Sequence, residues 1–174
     1  VVEKLGPGVR HVKLGDHVVL HWQKGLGIDA QAAKYKWADG VVNAGQVTTF
    51  NEYTVVSENR LTSIDKSIDM RIAALFGCAV TTGFGNVIHD AELKLGQSVL
   101  MIGAGGVGLN QIQAASMHSA HPIIAVDIYD NKLELAKSLG ANVVFNARHV
   151  SIAEEVTRLL PNGPDIVIEN TGNV

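Results

Sequence analysis

The stretch that most constrains this chain is "SVLMIGAGGVGLNQIQAA", residues 98–115. An apolar run of strand length passes directly into Gly103, Gly105, Gly106 and Gly108. A segment with apolar residues at Leu109, Ile112 and Met117 follows, which reads as a helix over 107–119. A second apolar run, "PIIAVD" over 122–127, ends in Asp127, 19 residues after Gly108. Gly103, Gly105 and Gly108 fit G-x-G-x-x-G, with Gly106 as an extra. In a βα turn that carries a dinucleotide, the first glycine permits the tight turn. The second lets the backbone approach the pyrophosphate, and the third lets helix and strand pack closely. The helix start then offers unbonded N–H groups and the positive end of its dipole to phosphates. Asp127 is placed to accept from ribose hydroxyls, and its charge repels a 2′-phosphate, which favours NAD over NADP. Tyr129 and Asp130 follow it rather than an arginine. A purely structural turn, with Asp127 as a helix cap or turn acid, is the competing reading.

The residues around this turn alternate. Helical patterns over 131–139 and 151–160 separate short apolar runs over 142–145 and 165–169. Gly140 closes the first helix. Ser151 with Glu154 forms a capping-box pattern for the second, which Pro161 and Gly163 stop. Short buried strands alternating with helices imply parallel pairing through right-handed crossovers. The expected fold class is therefore α/β, with four strands of a doubly wound parallel sheet. Earlier residues have a β texture: "DHVVLHW" over 16–22 and "NEYTVVS" over 51–57 read as strands. Residues 23–46 between them are polar and glycine-containing, and read as a long irregular excursion. The two textures meet near residues 65–90.

Composition narrows the function classes. With 47% hydrophobic residues there is enough apolar material for a core. A net charge of -3 and the absence of any basic block argue against a nucleic-acid partner. No apolar run approaches the roughly 18–20 residues of a membrane span. The single cysteine, Cys78, excludes an intrachain disulfide and fits a reducing compartment, so a cytoplasmic location is expected. A chain that starts at Val1 and ends just past an apolar strand is read as a piece of a longer protein.

Cys78 lies in "ALFGCAVTTGFG", residues 74–85, among apolar neighbours. A lone cysteine in such surroundings is commonly a packed core residue. The histidines form no H-E-x-x-H pattern that would recruit it to a metal.

Taken in order, "GDHVVL", "EYTVVSENRLTSI", "ALFGCAVTTGFG", "GQSVLMIGAGGVGLNQIQAA", "IIAVDIYDNKLELAKSLGA" and "DIVIENTGNV" resemble the zinc-dependent medium-chain alcohol dehydrogenases. The resemblance implies that residues 1–79 are the C-terminal part of a GroES-like β-barrel catalytic domain. It implies that 80–174 are the N-terminal part of a Rossmann NAD-binding domain, with strand order 3-2-1-4. Cys78 then stands at the position of one catalytic zinc ligand, in a Cys₂His set. Thr82 stands where a threonine lies against the nicotinamide, and Val107 where the glycine turn meets the cofactor. Ile128 matches an adenine-pocket residue, Lys132 a lysine reaching the adenosine ribose, and Thr171 a coenzyme-lining position. Ordinary packing competes for Val107 and Ile128, and an exposed helix lysine for Lys132.

Departures from the family pattern carry their own expectations. The resemblance puts the remaining Cys and His zinc ligands ahead of Val1, and residues 23–46 contain no cysteine for a structural zinc. Strand four is expected to be an exposed apolar edge. The function implied is hydride transfer between an alcohol or aldehyde and NAD, in a parent protein that is homo-oligomeric. A zinc-free NADPH-dependent reductase of the same superfamily, and a non-catalytic dinucleotide-binding module, are the alternatives. Turnover by residues 1–174 alone is not expected.

Overall fold

The computed structural model describes residues 1–43 and 45–172, and the chain divides into two compact units, Val1–Cys78 and Ala79–Val174. In the first unit, β1 (His17–Leu20) is followed by β2 (Lys34–Trp37) and β3 (Gly40–Asn43), then by β4 (Leu61–Ile64) and helix α1 (Met70–Phe76). β1 pairs antiparallel with β4, His17 opposite Ile64 and Leu20 opposite Leu61. β2 and β3 form a hairpin through Ala38 and Asp39, with Ala38 at φ +47. Asp69 caps α1 by accepting from the Arg71 N–H at 2.8 Å.

Two sequence readings change here. Residues 51–57 form no strand; the partner of β1 is Leu61–Ile64. Their β-branched composition suits an extended backbone, but a side chain takes the place of a ladder at Val55, and Ser57 bonds the backbone of Ala30. The Val55 N–H donates to the Tyr35 hydroxyl at 3.0 Å, and the Ser57 hydroxyl donates to the Ala30 carbonyl at 3.0 Å. The excursion over 23–46 is not wholly irregular, since it contains the β2–β3 hairpin. Tyr35 ties that hairpin down, while Trp22 and Trp37 are exposed.

In the second unit, helix α2 (Ala79–Gly85) runs into a π-helical turn over Asn86–Asp90, closed by an Ala91 N–H to Asn86 carbonyl bond of 2.8 Å. Then come β5 (Val99–Ile102), α3 (Gly106–Met117), β6 (Ile123–Asp127), α4 (Asp130–Ser138), β7 (Val143–Asn146), α5 (Ile152–Leu159) and β8 (Ile166–Glu169). The strands form one parallel sheet in the order β7-β6-β5-β8. This bears out the expected α/β class and its 3-2-1-4 order.

Alternation across the pleat builds the core. Val99, Met101, Ile123 and Ala125 face one way, into a cluster with Ile112, Ala114 and Ala115 of α3 and Ala136 of α4. Leu100, Ile124 and Val126 face the other way, onto Val156 and Ile152 of α5. Helices thus cover both faces, which is why these strands are apolar throughout. β8 is the outermost strand beside β5, and its Val167 is 55% exposed. Its start is pinned by Asp165, whose carboxylate accepts from the Ser98 N–H at 2.8 Å and from the Ser98 hydroxyl at 2.5 Å. The capping box does not form: Ser151 stands at the N-cap of α5, but its side chain makes no capping bond.

Candidate functional site

The carboxyl ends of β5, β6 and β8 converge on the glycine turn. β5 leaves the sheet at Gly103, whose φ of +96 disfavours a side chain, and its N–H is held by the Val126 carbonyl at 2.7 Å. α3 begins at Gly106, with Gly105 as N-cap and no capping side chain. The glycines of this turn answer to different constraints. A Cβ on Gly108 would overlap the carbonyl oxygen of Gly103, so the fold itself demands glycine there. A Cβ on Gly105 would meet nothing within 4 Å, and its backbone, φ -82 and ψ -168, is open to any residue. Gly106 is similarly tolerant, with only ordinary contact to Ala79 at 3.7 Å. The protein's own packing therefore gives no reason for glycine at 105, whereas a ligand approaching the start of α3 does.

Asp127 ends β6 beside this turn and is buried. Its Oδ2 accepts from the Ala104 N–H at 2.8 Å, and its Oδ1 from the N–H groups of Ile128 and Tyr129 at 2.8 and 3.1 Å. It is thus a turn acid that fastens β6 to the glycine turn. A carboxylate has about four acceptor positions, so one remains for an outside donor. Lys132 Nζ lies 3.7 Å from Oδ2 and 4.9 Å from the centre of the Tyr129 ring. Arg148, from beyond β7, sits over the same ring at 5.2 Å. Arg148 thus reaches the Tyr129 ring from 19 residues further along the chain. Ile128 and Tyr129 are exposed rather than packed.

Thr171 reaches the same place from β8. A Cβ on Gly103 would lie 3.0 Å from its Cγ2. Glu169 holds this turn, accepting from the N–H and hydroxyl of Thr171 and from the Gly172 N–H at 3.0 Å. These bonds, the Thr171 hydroxyl foremost, lower the Glu169 pKa. Thr82 is half-buried on α2, next to Gly83. A Cβ on Gly83 would meet the Cβ of Asn110 at 2.6 Å and the Val107 carbonyl oxygen at 2.9 Å, so glycine allows α2 to lie directly on the first turns of α3. Val107 is half-buried there.

Cys78 belongs to the first unit, in the two-residue link after α1. Gly77 passes so close to β1 that a Cβ would overlap the Leu20 carbonyl oxygen, which fixes the backbone at this point. The thiol is exposed and in no disulfide, so Cys78 is not the packed core residue its apolar neighbours suggest. Among the described residues, no group of three or more His, Cys, Asp or Glu side chains could hold a metal ion. Cys78 is one candidate donor, and one thiol does not make a zinc site. Among the described residues no single helix is long and apolar enough to cross a membrane.

Sequence reasoning missed Gly83, Asn86, Gln111, Arg148, Glu169 and Asn170. Each acts through a partner distant in sequence, apart from Glu169, whose E-x-T spacing was open to reading as a local turn.

Residues 106–174 match the family described as zinc-binding dehydrogenase. The chain is 31% identical to an S-(hydroxymethyl)glutathione dehydrogenase of Saccharomyces cerevisiae, over 99% of this chain and 53% of that protein. It is similar in structure to an alcohol dehydrogenase zinc-binding domain protein from Burkholderia ambifaria, with TM-score 0.81 and 29% identity, covering 98% of this chain and 53% of that one. It is also similar to the benzyl alcohol dehydrogenase of Acinetobacter calcoaceticus, with TM-score 0.79 and 26% identity over the same shares. The chain spans about half the length of the curated relatives it matches.

Proposed function

Because the chain belongs to the zinc-dependent medium-chain alcohol dehydrogenase family, we propose that it contributes the coenzyme-holding part of an enzyme transferring hydride between an alcohol or aldehyde and NAD. On this reading residues 1–79 are part of the GroES-like catalytic domain and 80–174 are part of the Rossmann domain. The observation that carries it is Gly105: a glycine that neither backbone nor packing requires, at the uncapped start of a 12-residue helix, next to a buried aspartate.

The residues then take these roles. The N–H groups at the start of α3, with Gly103, Gly105, Gly106 and Gly108, receive the pyrophosphate. The remaining acceptor position of Asp127 takes a ribose hydroxyl, Lys132 approaches the same ribose, and Ile128 lines the adenine. Thr82 lies against the nicotinamide, Val107 meets the coenzyme at the glycine turn, and Thr171 lines the coenzyme. A bound NAD would supply the hydride acceptor for the alcohol carbon, the hydroxyl proton leaving to solvent. Cys78 is this chain's zinc ligand in the reading, and a bound zinc would polarise the alcohol oxygen. The related names differ in substrate, a glutathione adduct in one and benzyl alcohol in another, so the class is left at alcohol or aldehyde. A homo-oligomeric parent in the cytoplasm, where Cys78 stays reduced, completes the reading.

Calorimetric titration of the chain with NAD and with NADP tests it. Saturable binding that favours NAD supports it. Preference for NADP would move the reading to the reductases, and binding of neither would remove the coenzyme site.

A further inference from the structure

Gln111 is a fully buried polar residue on α3, next to Ile112 and within a helix whose other inward residues are Ala114 and Ala115. Its side-chain carbonyl accepts from the Asn170 amide at 2.8 Å, and its amide nitrogen donates to Asn86 Oδ1 at 3.2 Å. The Asn86 amide in turn donates to the Asp90 carboxylate at 2.6 Å. Burying an amide is costly unless it is bonded, and a hydrocarbon of equal size would fill the space without that requirement. A matched chain of donors and acceptors gives what hydrocarbon packing does not, a single arrangement of the elements it joins.

Those elements are the ones that carry the coenzyme-facing threonines. Asn170 immediately precedes Thr171, and its Nδ2 would lie 3.4 Å from a Cβ on Gly108 of the glycine turn. Asn86 opens the π-helical turn that continues α2, four residues after Thr82. Gln111 therefore sits at the junction of the two segments. We propose that Gln111 is a positioning residue for the nicotinamide half of the coenzyme site, setting the Thr171 turn through Asn170 and the end of α2 through Asn86. This rests on the NAD reading above.

The test compares NAD with ADP-ribose, which shares the adenosine and both phosphates but lacks the nicotinamide. In the chain carrying Gln111→Met, an apolar residue of similar length, the Kd for NAD should rise about fivefold, the scale of a lost hydrogen bond. The Kd for ADP-ribose should stay within about twofold, and the thermal midpoint should not fall with it. Asn170→Leu, at an exposed position, should give the same selective loss without endangering the core. Gln111→Glu keeps the acceptor for Asn170 and loses the donor to Asn86, so an intermediate loss is expected. Equal weakening of both ligands in both variants, or no weakening of either, overturns the proposal while leaving the coenzyme reading intact. Failure of the unsubstituted chain to bind ADP-ribose as well as NAD overturns both.

Discussion

The two units of this chain are built on different principles. Among the described residues of Val1–Cys78 the buried apolar ones are Val12, Val19 and Ala73, while Ser57, Glu58, Asn59 and Arg60 form a buried run of four polar residues. Glu58 accepts from the N–H groups of Arg10 and His11 at 2.6 Å each and of Ile28 at 3.0 Å. A Cβ on Gly27 would fall 2.6 Å from its Cγ. Arg60 donates to the Trp22 carbonyl and lies 4.0 Å from Asp29. One carboxylate and one guanidinium therefore bond to the backbone of several loops at once. In Ala79–Val174, two apolar clusters cover both faces of a parallel sheet; Gln111 and Asp127 are buried at the candidate site and Ser98 at the opposite end of β5. Hydrogen-bond geometry specifies one unit, and apolar alternation the other.

The comparison can be broken at several points. The largest effect is expected in the sheet: Ile124→Ala, at a fully buried position, should cost about 3 kcal/mol in denaturant unfolding. A cost under about 1 kcal/mol would mean that packing does not hold the second unit. Gly108→Ala should also destabilise the second unit, because the new Cβ overlaps the Gly103 carbonyl; an unchanged thermal midpoint would refute that constraint. A smaller effect, confined to the first unit, is expected for Glu58→Gln. Its backbone bonds, that from His11 foremost, lower the Glu58 pKa from 4.5 to about 2. A depressed folded pKa gives stability that is fully present above 4.5 and lost as pH falls towards about 2. Hydrogen exchange at the amides of Arg10, His11 and Ile28 should therefore speed up in the variant at neutral pH. The gap to the unsubstituted chain should narrow on acidification below 4.5. A gap independent of pH would show that the charge is not what holds these loops. Smallest of all, Trp37→Ser on the exposed hairpin should change stability by no more than about 0.5 kcal/mol. A larger loss would reveal an anchoring role for that ring.

The same contrast explains which parts of the chain could be read beforehand. The runs "SVLMI" and "PIIAVD" are apolar because both faces are covered, so their pattern announced the sheet, its order and the turn between them. In "NEYTVVS" the β-branched residues indicate only an extended backbone. Whether a ladder or a tyrosine hydroxyl satisfies it depends on Tyr35, which lies far off in sequence. Helix α2 leaves little local trace because "VTTGFG" is poor in helix formers. Gly83 allows the close contact with α3 that favours it. At the site, the glycine spacing and Asp127 were visible as a local motif. The amide relay through Gln111 joins residues 59 apart and Arg148 reaches Tyr129 from across β7, so neither leaves a local trace.

The central claim is that Gly105 is glycine for the sake of a dinucleotide rather than for the fold. Calorimetric NAD titration of the chain carrying Gly105→Val, with its thermal midpoint measured alongside, tests this most directly. The account predicts a stability loss of no more than about 1 kcal/mol, the cost of valine at an N-cap, and a Kd for NAD raised at least about tenfold, the loss expected when a side chain blocks the approach of the pyrophosphate to the helix start. Undiminished NAD binding by this variant would contradict it.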